Sequence, residues 1–438
     1  MSKLVRHSGP SAEVPKTPGF PLSATAVLAT LLGAIVVVLT FRAVLPPRFG
    51  GNDSSDYSGF YRPVAERIVA GSGIVLANGA PATRYPPGYP LLLAGTLTVA
   101  NWLGVPVEGA EAGFACLAMG VAAVFLFALS ASVWPTPLAA VAPIAFLTYP
   151  LLLWAVKQPT SETAMLPFLY GAVWLAWCLL RGTRRVVWVS LACGVLCGAA
   201  MLIRPICLGL GVLLAMVVWA LARNRSLRLR TFMAGCILAG NLLVVLPWEV
   251  WVYRQTGRVI PLSSAGVRAV RDGLSFAGDA KTYRQRIATS SGLKALMVDI
   301  ERAYPTLKST KAVAAFLWGE FREKPAAVMQ LLIWKALRSW YATDTRRYEI
   351  PILFVQLFYA ALLIPANRKA WRSGGDRKKM VQLLLGVLAY FWVMTFLALS
   401  IVRYMAPAIA LTFAALPAVF AARRRETLAS GALAARGR

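Results

Sequence analysis

The sequence predicts an all-α polytopic membrane protein with about ten transmembrane helices, outer-face loops and juxtamembrane helices. Three observations carry this. The 438 residues are 58% hydrophobic and only 15% charged, with a mean hydropathy of +0.62, which leaves too little polar surface to cover a water-soluble fold. Apolar runs of about 18–22 residues, the length that crosses a bilayer core, recur along the chain. Basic residues cluster between the runs, at Arg181/Arg184/Arg185, Arg223/Arg225/Arg228/Arg230, Arg368–Lys379 and Arg423–Arg425, as in cytoplasmic loops.

In chain order, residues 1–21 carry Lys3, Arg6, His7 and Lys16 among prolines and serines and read as a disordered cytoplasmic tail. The run 22–45 is too long for a signal-peptide core and ends at Arg42 and Pro46-Pro47 without a small-residue cleavage site, so it is expected to stay as the first span. Four more runs, 86–104, 110–133, 137–157 and 161–180, precede Arg181. With both ends of this stretch basic and cytoplasmic, the number of crossings must be even, so one run does not cross. The run 86–104 opens with Pro86, Pro87, Gly88 and Pro90 and contains Gly95 and Asn101. It is expected to be re-entrant or surface-lying within a first outer loop, 46–109, because non-spanning backbone is tolerated where it lines a protein cavity.

Residues 186–222 then make two spans turning at Arg204-Pro205, which puts Arg204 on the outer face. The run 231–252 exits to an outer region, 253–349, whose length exempts its basic character from the charge rule. Within it Arg258–Ser264 reads as a short extended stretch, and Pro325–Tyr341, with Lys335, Arg338, Trp334 and Trp340 among apolar residues, as an interfacial amphipathic helix. Spans at 350–366, 380–400 and 404–422 lead to a cytoplasmic tail, 423–438. The expected organisation is a catalytic transmembrane module (22–252), the outer region (253–349) and C-terminal transmembrane helices (350–422).

The single histidine, His7, lies in the tail, which excludes histidine acid–base chemistry and histidine metal sites. All six cysteines fall in apolar runs. Cys193 and Cys197 are one helical turn apart with no histidine or carboxylate nearby, so they read as small packing residues. The net charge of +28 is distributed as membrane-loop clusters, and no nucleic acid partner is expected.

Acidic residues are scarce, 18 in all. Two of them, Asp53 and Asp56, share a polar loop just past the first span, and that loop closes at Arg84-Tyr85-Pro86-Pro87-Gly88-Tyr89-Pro90. The predicted topology collects Asp53, Asp56, Arg84, Tyr85, Glu162, Arg204, Arg254, Arg403 and Tyr404 on the outer face. Each has a bland reading. Glu162 favours a helix's first turn, Arg204 caps a hairpin, Arg403-Tyr404 anchors at the interface, and loop aspartates are ordinarily solvated. Together they suit transfer from a lipid phosphate. A sugar on a polyprenyl phosphate has a good leaving group that needs charge stabilisation, which arginines supply through bidentate contacts. The acceptor hydroxyl or amine needs a base, and one carboxylate suffices for a single inverting displacement. Asp53, Asp56 and Glu162 are therefore the catalytic candidates, Arg84, Arg204 and Arg403 the phosphate clamp, and Tyr57, Tyr85, Arg254 and Tyr404 the supporting residues. The three acids could hold a divalent ion through oxygen ligands. With arginines already neutralising the phosphate, no metal or other cofactor is expected.

Four motifs resemble the polyprenyl-phosphate-sugar-dependent glycosyltransferases of the GT-C fold, which include aminoarabinose transferases and protein O-mannosyltransferases. They are Asp53-Ser54-Ser55-Asp56-Tyr57 with Ala65–Gly71 and Arg84–Pro90; Ser161-Glu162-Thr163; Pro247-Trp248 with Arg254, Gly257 and Val259–Ser264; and Arg403-Tyr404 with Pro407. The resemblance implies a GT-C-like bundle and a catalytic aspartate in the first outer loop, a position Asp53 holds four residues before Tyr57. Asp56 is an additional acid. Arg84 and Tyr85 stand where aminoarabinose transferases carry lysine before Pro-Pro, and Gln255 replaces the asparagine that follows the arginine.

The expected function is an inverting glycosyltransferase that moves a sugar from a polyprenyl-phosphate donor to a glycan, lipid or protein acceptor among membrane lipids. It would act on the outer, extracytoplasmic face of a bacterial cytoplasmic (inner) membrane. The basic outer region suits an anionic acceptor. The alternative is a transporter or flippase of lipid-linked sugars, which calls for polar residues at mid-bilayer depth and internal repeats. The spans are nearly free of charge except at their ends, and no repeat is evident. A third reading is a noncatalytic membrane assembly partner.

Overall fold

The computed structural model describes residues 20–46, 49, 56–276, 290–343 and 348–421. In chain order the helices are α1 (Ala24–Val44), α2 (Arg62–Val69), α3 (Gly88–Leu103), α4 (Val107–Ala131), α5 (Thr136–Leu147), α6 (Pro150–Val156), α7 (Ser161–Arg181), α8 (Val186–Ile203), α9 (Leu210–Leu221) and α10 (Leu227–Thr256). They continue with α11 (Gly266–Phe276), α12 (Ser291–Ala303), α13 (Thr310–Glu323), α14 (Pro325–Arg338), α15 (Glu349–Arg372), α16 (Gly375–Leu397) and α17 (Val402–Phe420). No β-strand occurs among the described residues; an isolated bridge pairs Val75 with Pro81.

Eight of these helices, α1, α4, α7, α8, α10, α15, α16 and α17, are long and apolar enough to cross a membrane. The α5–α6 pair and the short apolar segment Pro205–Leu221 occupy the other two expected spans. The chain is a multi-pass helical membrane protein. Expected span 137–157 is not straight: α5 and α6 meet at 55°. Tyr149 takes an extended backbone conformation and Pro150 opens α6, as the steric effect of proline on its predecessor dictates. Helices α7 and α17 are central, 78% and 83% buried across their apolar windows, whereas α1, α10 and α15 are 11%, 22% and 17% buried. The latter three expose apolar faces, as lipid-facing helices do.

The helices alternate between two ends. At one end Arg181 pairs with Asp376 at 3.7 Å, Arg377 donates to the Val133 carbonyl at 3.3 Å, and Lys369 donates to the Ala421 carbonyl at 2.7 Å. The linkers at Arg181–Arg185 and Arg368–Lys379 therefore share that end, and Arg225 of a third lies beside Gly182 there. At the other end Arg42 donates to the Val156 carbonyl, Arg204 meets Ser161, and the Val402 amide donates to the Ala342 carbonyl. Helix α3 begins at this second end, where Gly88 lies against the Leu202 backbone. The chain is back there by Glu111, in the second turn of α4, which accepts from Tyr57. At about 24 Å by its rise, α3 is too short for a core of about 30 Å. The start of α3 and the chain's return in α4 both lie at the second end.

Helices α8 and α10 cross closely: a methyl group at Gly194 would lie 2.0 Å from the Ile237 carbonyl oxygen. Beyond α10, Leu293, Leu296 and Ile300 of α12 pack with Val313 of α13 and Val328 and Leu331 of α14 in a small core of their own. Arg338 joins α14 to the start of α15 through two bonds to Glu349, at 2.7 and 3.2 Å. The expected extended stretch 258–264 is an irregular strap, not a strand.

Candidate functional site

The site lies at the second end, where the segment between α1 and α3 meets three helix termini. Asp56 precedes a wide helical turn, Tyr57–Tyr61, that runs into α2. Asp56 Oδ1 accepts from Arg84 Nη2 at 3.1 Å and from the Tyr85 hydroxyl at 2.8 Å. The Tyr85 ring stacks on Tyr61 with centroids 5.1 Å apart, and Tyr61 meets Tyr89 edge-on at 4.9 Å. Burial, with the Asp56 charge adding to it, pushes the Tyr85 phenol up to about 12, so it stays a donor at neutral pH.

A second element holds this segment. Trp248 Nε1 of α10 donates to the Leu262 carbonyl at 2.9 Å, and the Leu262 amide donates to Glu249 Oε1 at 2.8 Å. These bonds fix Leu262 at φ 56°, a conformation that a leucine adopts only when its surroundings enforce it. The next residues then reach the loop: Ser263 Oγ donates to the Arg84 carbonyl at 2.5 Å and the Ser264 amide to the Thr83 carbonyl at 3.1 Å. The Pro247-Trp248 and Val259–Ser264 motifs therefore act together, positioning the backbone of Arg84. Gly88 completes the seat, since a Cβ there would lie 2.6 Å from the Leu202 carbonyl.

Glu162 organises the arginines. It sits in the first turn of α7, where Thr160 is the N-cap, and is 4% exposed. Its Oε2 pairs with Arg204 Nη1, and its Oε1 lies 2.6 Å from Arg403 Nε. Arg204, itself buried, also donates to Ser161 Oγ at 3.0 Å, and its guanidinium lies over the Tyr404 ring at 5.0 Å. A buried charge requires such partners. Tyr61 lies within electrostatic reach of Arg204, Asp56 and Glu162, so the two carboxylate–arginine groups flank one tyrosine cluster.

The structure brings together Asp56, Tyr57, Arg84, Tyr85, Glu162, Arg204, Arg403 and Tyr404. Asp53 lies outside the described residues. Arg254 stands apart: it is exposed on the last turn of α10 and makes no side-chain hydrogen bond or ion pair among the described residues. Sequence reasoning missed Tyr61 and gave no role to Tyr89, Ser161 and Ser263, although all three lie in the motifs it singled out. It also missed Glu111, which is buried in α4 and accepts from the Tyr57 hydroxyl. An ionisable residue inside an apolar run was the available signal for Glu111. Among the described residues no group of three His, Cys, Asp or Glu side chains could hold a metal ion.

No family model matches the chain, and no curated protein matches it. Among solved structures it is similar to ArnT from Cupriavidus metallidurans bound to undecaprenyl phosphate. The identity is 15% and the TM-score 0.41, over 91% of this chain and 78% of that one. It is also similar to the archaeal oligosaccharyltransferase AglB from Archaeoglobus fulgidus, in complex with an inhibitory peptide and a dolichol-phosphate, at 13% identity and TM-score 0.46. An Archaeoglobus fulgidus oligosaccharyltransferase tethered to an acceptor peptide matches at 13% and 0.47. The two Archaeoglobus matches cover 90% of this chain and about half, 50% and 49%, of theirs.

Proposed function

We propose that the chain is an inverting glycosyltransferase that moves a sugar from a polyprenyl-phosphate donor to an acceptor. The observation that carries this reading is the convergence, at one end of the bundle, of Arg84, Arg204 and Arg403 with Asp56 and Glu162. These residues come from the first loop, the start of α7, the end of α8 and the start of α17. Because Arg403 and Tyr404 come from α17, the proposed catalytic module 22–252 is completed by the C-terminal helices. With three basic linkers at the opposite end, the positive-inside rule supports an extracytoplasmic site in a bacterial inner membrane.

In this mechanism the acceptor hydroxyl or amine attacks the anomeric carbon from the face opposite the phosphate and passes its proton to a carboxylate. The bond from the anomeric carbon to the phosphate oxygen breaks, and its electron pair leaves with the lipid phosphate. Asp56 accepts from Arg84 and Tyr85 through Oδ1 and serves to aim them, and Asp53, at the position the family resemblance implies, is the base in this reading. Glu162 orients Arg204 and Arg403 toward the phosphate, whose growing charge they stabilise.

The test is sugar transfer from a radiolabelled polyprenyl-phosphate sugar pool in membranes carrying wild type or Asp53→Asn. Label should reach a new product only with wild type. Full transfer by the variant at equal expression would sink the assignment of the base. No transfer by either protein across several donor sugars would move the reading to a lipid-linked sugar flippase.

A further inference from the structure

The last carbonyls of a helix have no partner within it. In α6 they are claimed from other elements. Arg42, in the last turn of α1, donates to the Val156 carbonyl at 3.2 Å. Thr160 Oγ1 donates to the Ala155 carbonyl at 3.1 Å, and Thr163 Oγ1 reaches the same oxygen at 3.5 Å. Lys157 is the C-cap of α6. Its Nζ donates to the Phe49 carbonyl at 2.9 Å and lies 4.3 Å from the centre of the Trp154 ring, against which the Phe49 ring packs at 5.8 Å. One end of α6 therefore holds both the chain just past α1 and the start of α7. A helix of seven residues has little stability of its own, and the other end of α6 is fixed by Tyr149, which is buried and donates to Gln356 Oε1 at 2.9 Å.

Two acid groups of the proposed site follow from these two attachments. Asp53 and Asp56 come four and seven residues after Phe49. Glu162, which pairs with Arg204 and Arg403, lies in the first turn of α7. A lysine at a helix end ordinarily serves the helix dipole, but this ammonium is spent on a carbonyl of a different segment. We propose that Lys157 is a positioning residue for sugar transfer: through the Phe49 carbonyl and the Trp154 ring it clasps the chain after α1 to the end of α6, and so sets where the carboxylates of that segment stand relative to Glu162 and its arginines. The proposal rests on the transferase reading and deepens it. Lys157 acts here through the backbone and not on a reacting atom, and a misplacement of about 1 Å is enough to cost about 10²-fold in rate.

The experiment compares full-length wild type, Lys157→Met, Lys157→Arg, Trp154→Leu and the Lys157→Met/Trp154→Leu double variant. Initial rates are taken over a range of concentrations of the radiolabelled polyprenyl-phosphate sugar pool, at equal amounts of folded protein. Amide hydrogen exchange around Phe49 is read on the same preparations. Lys157→Met keeps the length and removes the donor. Its kcat should fall about 10–100-fold with the donor KM unchanged, because Arg84, Arg204 and Arg403 keep their partners. Lys157→Arg keeps a donor and a cation for the ring and should recover most of the rate. Exchange around Phe49 should quicken in Lys157→Met and not in Lys157→Arg. The double variant should be no slower than the slower single variant, as groups of one clasp behave. Full kcat in Lys157→Met, a loss confined to KM, no recovery with arginine, or losses that multiply in the double variant each overturn the proposal. If wild type transfers sugar and neither rate nor exchange responds to Lys157→Met, the proposal falls and the transferase reading stands. If wild type transfers nothing while exchange still responds, the transferase reading falls, the catalytic role falls with it, and the clasp stands as a structural hold.

Discussion

Glu162 and its two arginines show how one side chain combines a structural and a chemical task. Arg204 is buried and its partner is Glu162, whereas the Arg403 side chain is 44% exposed. Removing the carboxylate leaves a buried guanidinium without its counter-charge, a loss of about 3–5 kcal/mol in comparable pairs. Glu162→Gln should therefore lower the melting temperature of the purified protein sharply. Arg403→Gln removes a half-exposed partner and should change stability by less than about 1 kcal/mol. It should nevertheless reduce transfer by about 10²–10³, as removal of a transition-state donor does. Melting curves and initial rates on the same two preparations check this; equal stability loss in both variants would contradict the division of labour. The pairing was partly legible in the sequence. Arg204, Arg403 and Glu162 each begin or end an apolar run, which marks them as membrane-surface charges. That they share one carboxylate depends on how α7, α8 and α17 converge, which no local pattern encodes.

At the scale of elements, close backbone approach carries the site. Gly88 lets the Pro86-Pro87 segment rest on the end of α8, two residues before Arg204, while the strap from α10 holds Arg84 from the other side. Gly88→Ala has no room for its methyl group and must displace one of the two segments. Transfer should fall by more than the loss of folded protein explains, with a raised KM for the lipid donor as the diagnostic. Gly194 makes the corresponding contact between α8 and α10. Gly194→Ala should destabilise by about 1–3 kcal/mol, as overpacking does. Gly235→Ala, in α10 with nothing near its would-be Cβ, should be neutral or stabilise by about 0.5–1 kcal/mol. Thermal melts of the two variants side by side test the crossing. Most helices were legible because the bilayer fixes their length and hydropathy, and the loop motifs because their order is specific. The break at Tyr149 was not, since a proline inside an apolar run reads equally as a tolerated kink. Glu111 and the tyrosine cluster were hidden because their roles depend on which faces of α2, α3 and α4 turn together.

At the scale of the whole molecule, the helices between α10 and α15 meet the last spans through a buried lysine. Lys335 of α14 is 3% exposed and donates to the carbonyls of Gly273, at 2.9 Å, and Ala398, at 3.0 Å. It thereby joins α11 and α14 to the chain just before α17, which carries Arg403. Burial pulls its amine down to about 7, and two carbonyls match the two N–H bonds of a neutral amine. In the unfolded chain the same group titrates near its ordinary value of about 10.4. Between about pH 7 and 10 the unfolded state thus binds the extra proton, and stability rises with pH. Below about pH 7 both states are protonated and this contribution is flat, so the native state there carries the full penalty of a buried charge. The wild-type melting temperature should rise from pH 7 to pH 9.5 by an amount equivalent to a few kcal/mol. Lys335→Met, similar in length and without a charge, should remove that slope while Arg338 and Glu349 keep α14 joined to α15. Melting curves of both proteins across this range decide the matter: a slope that survives in Lys335→Met would mean that other groups set the pH response, and that this junction is held by packing alone.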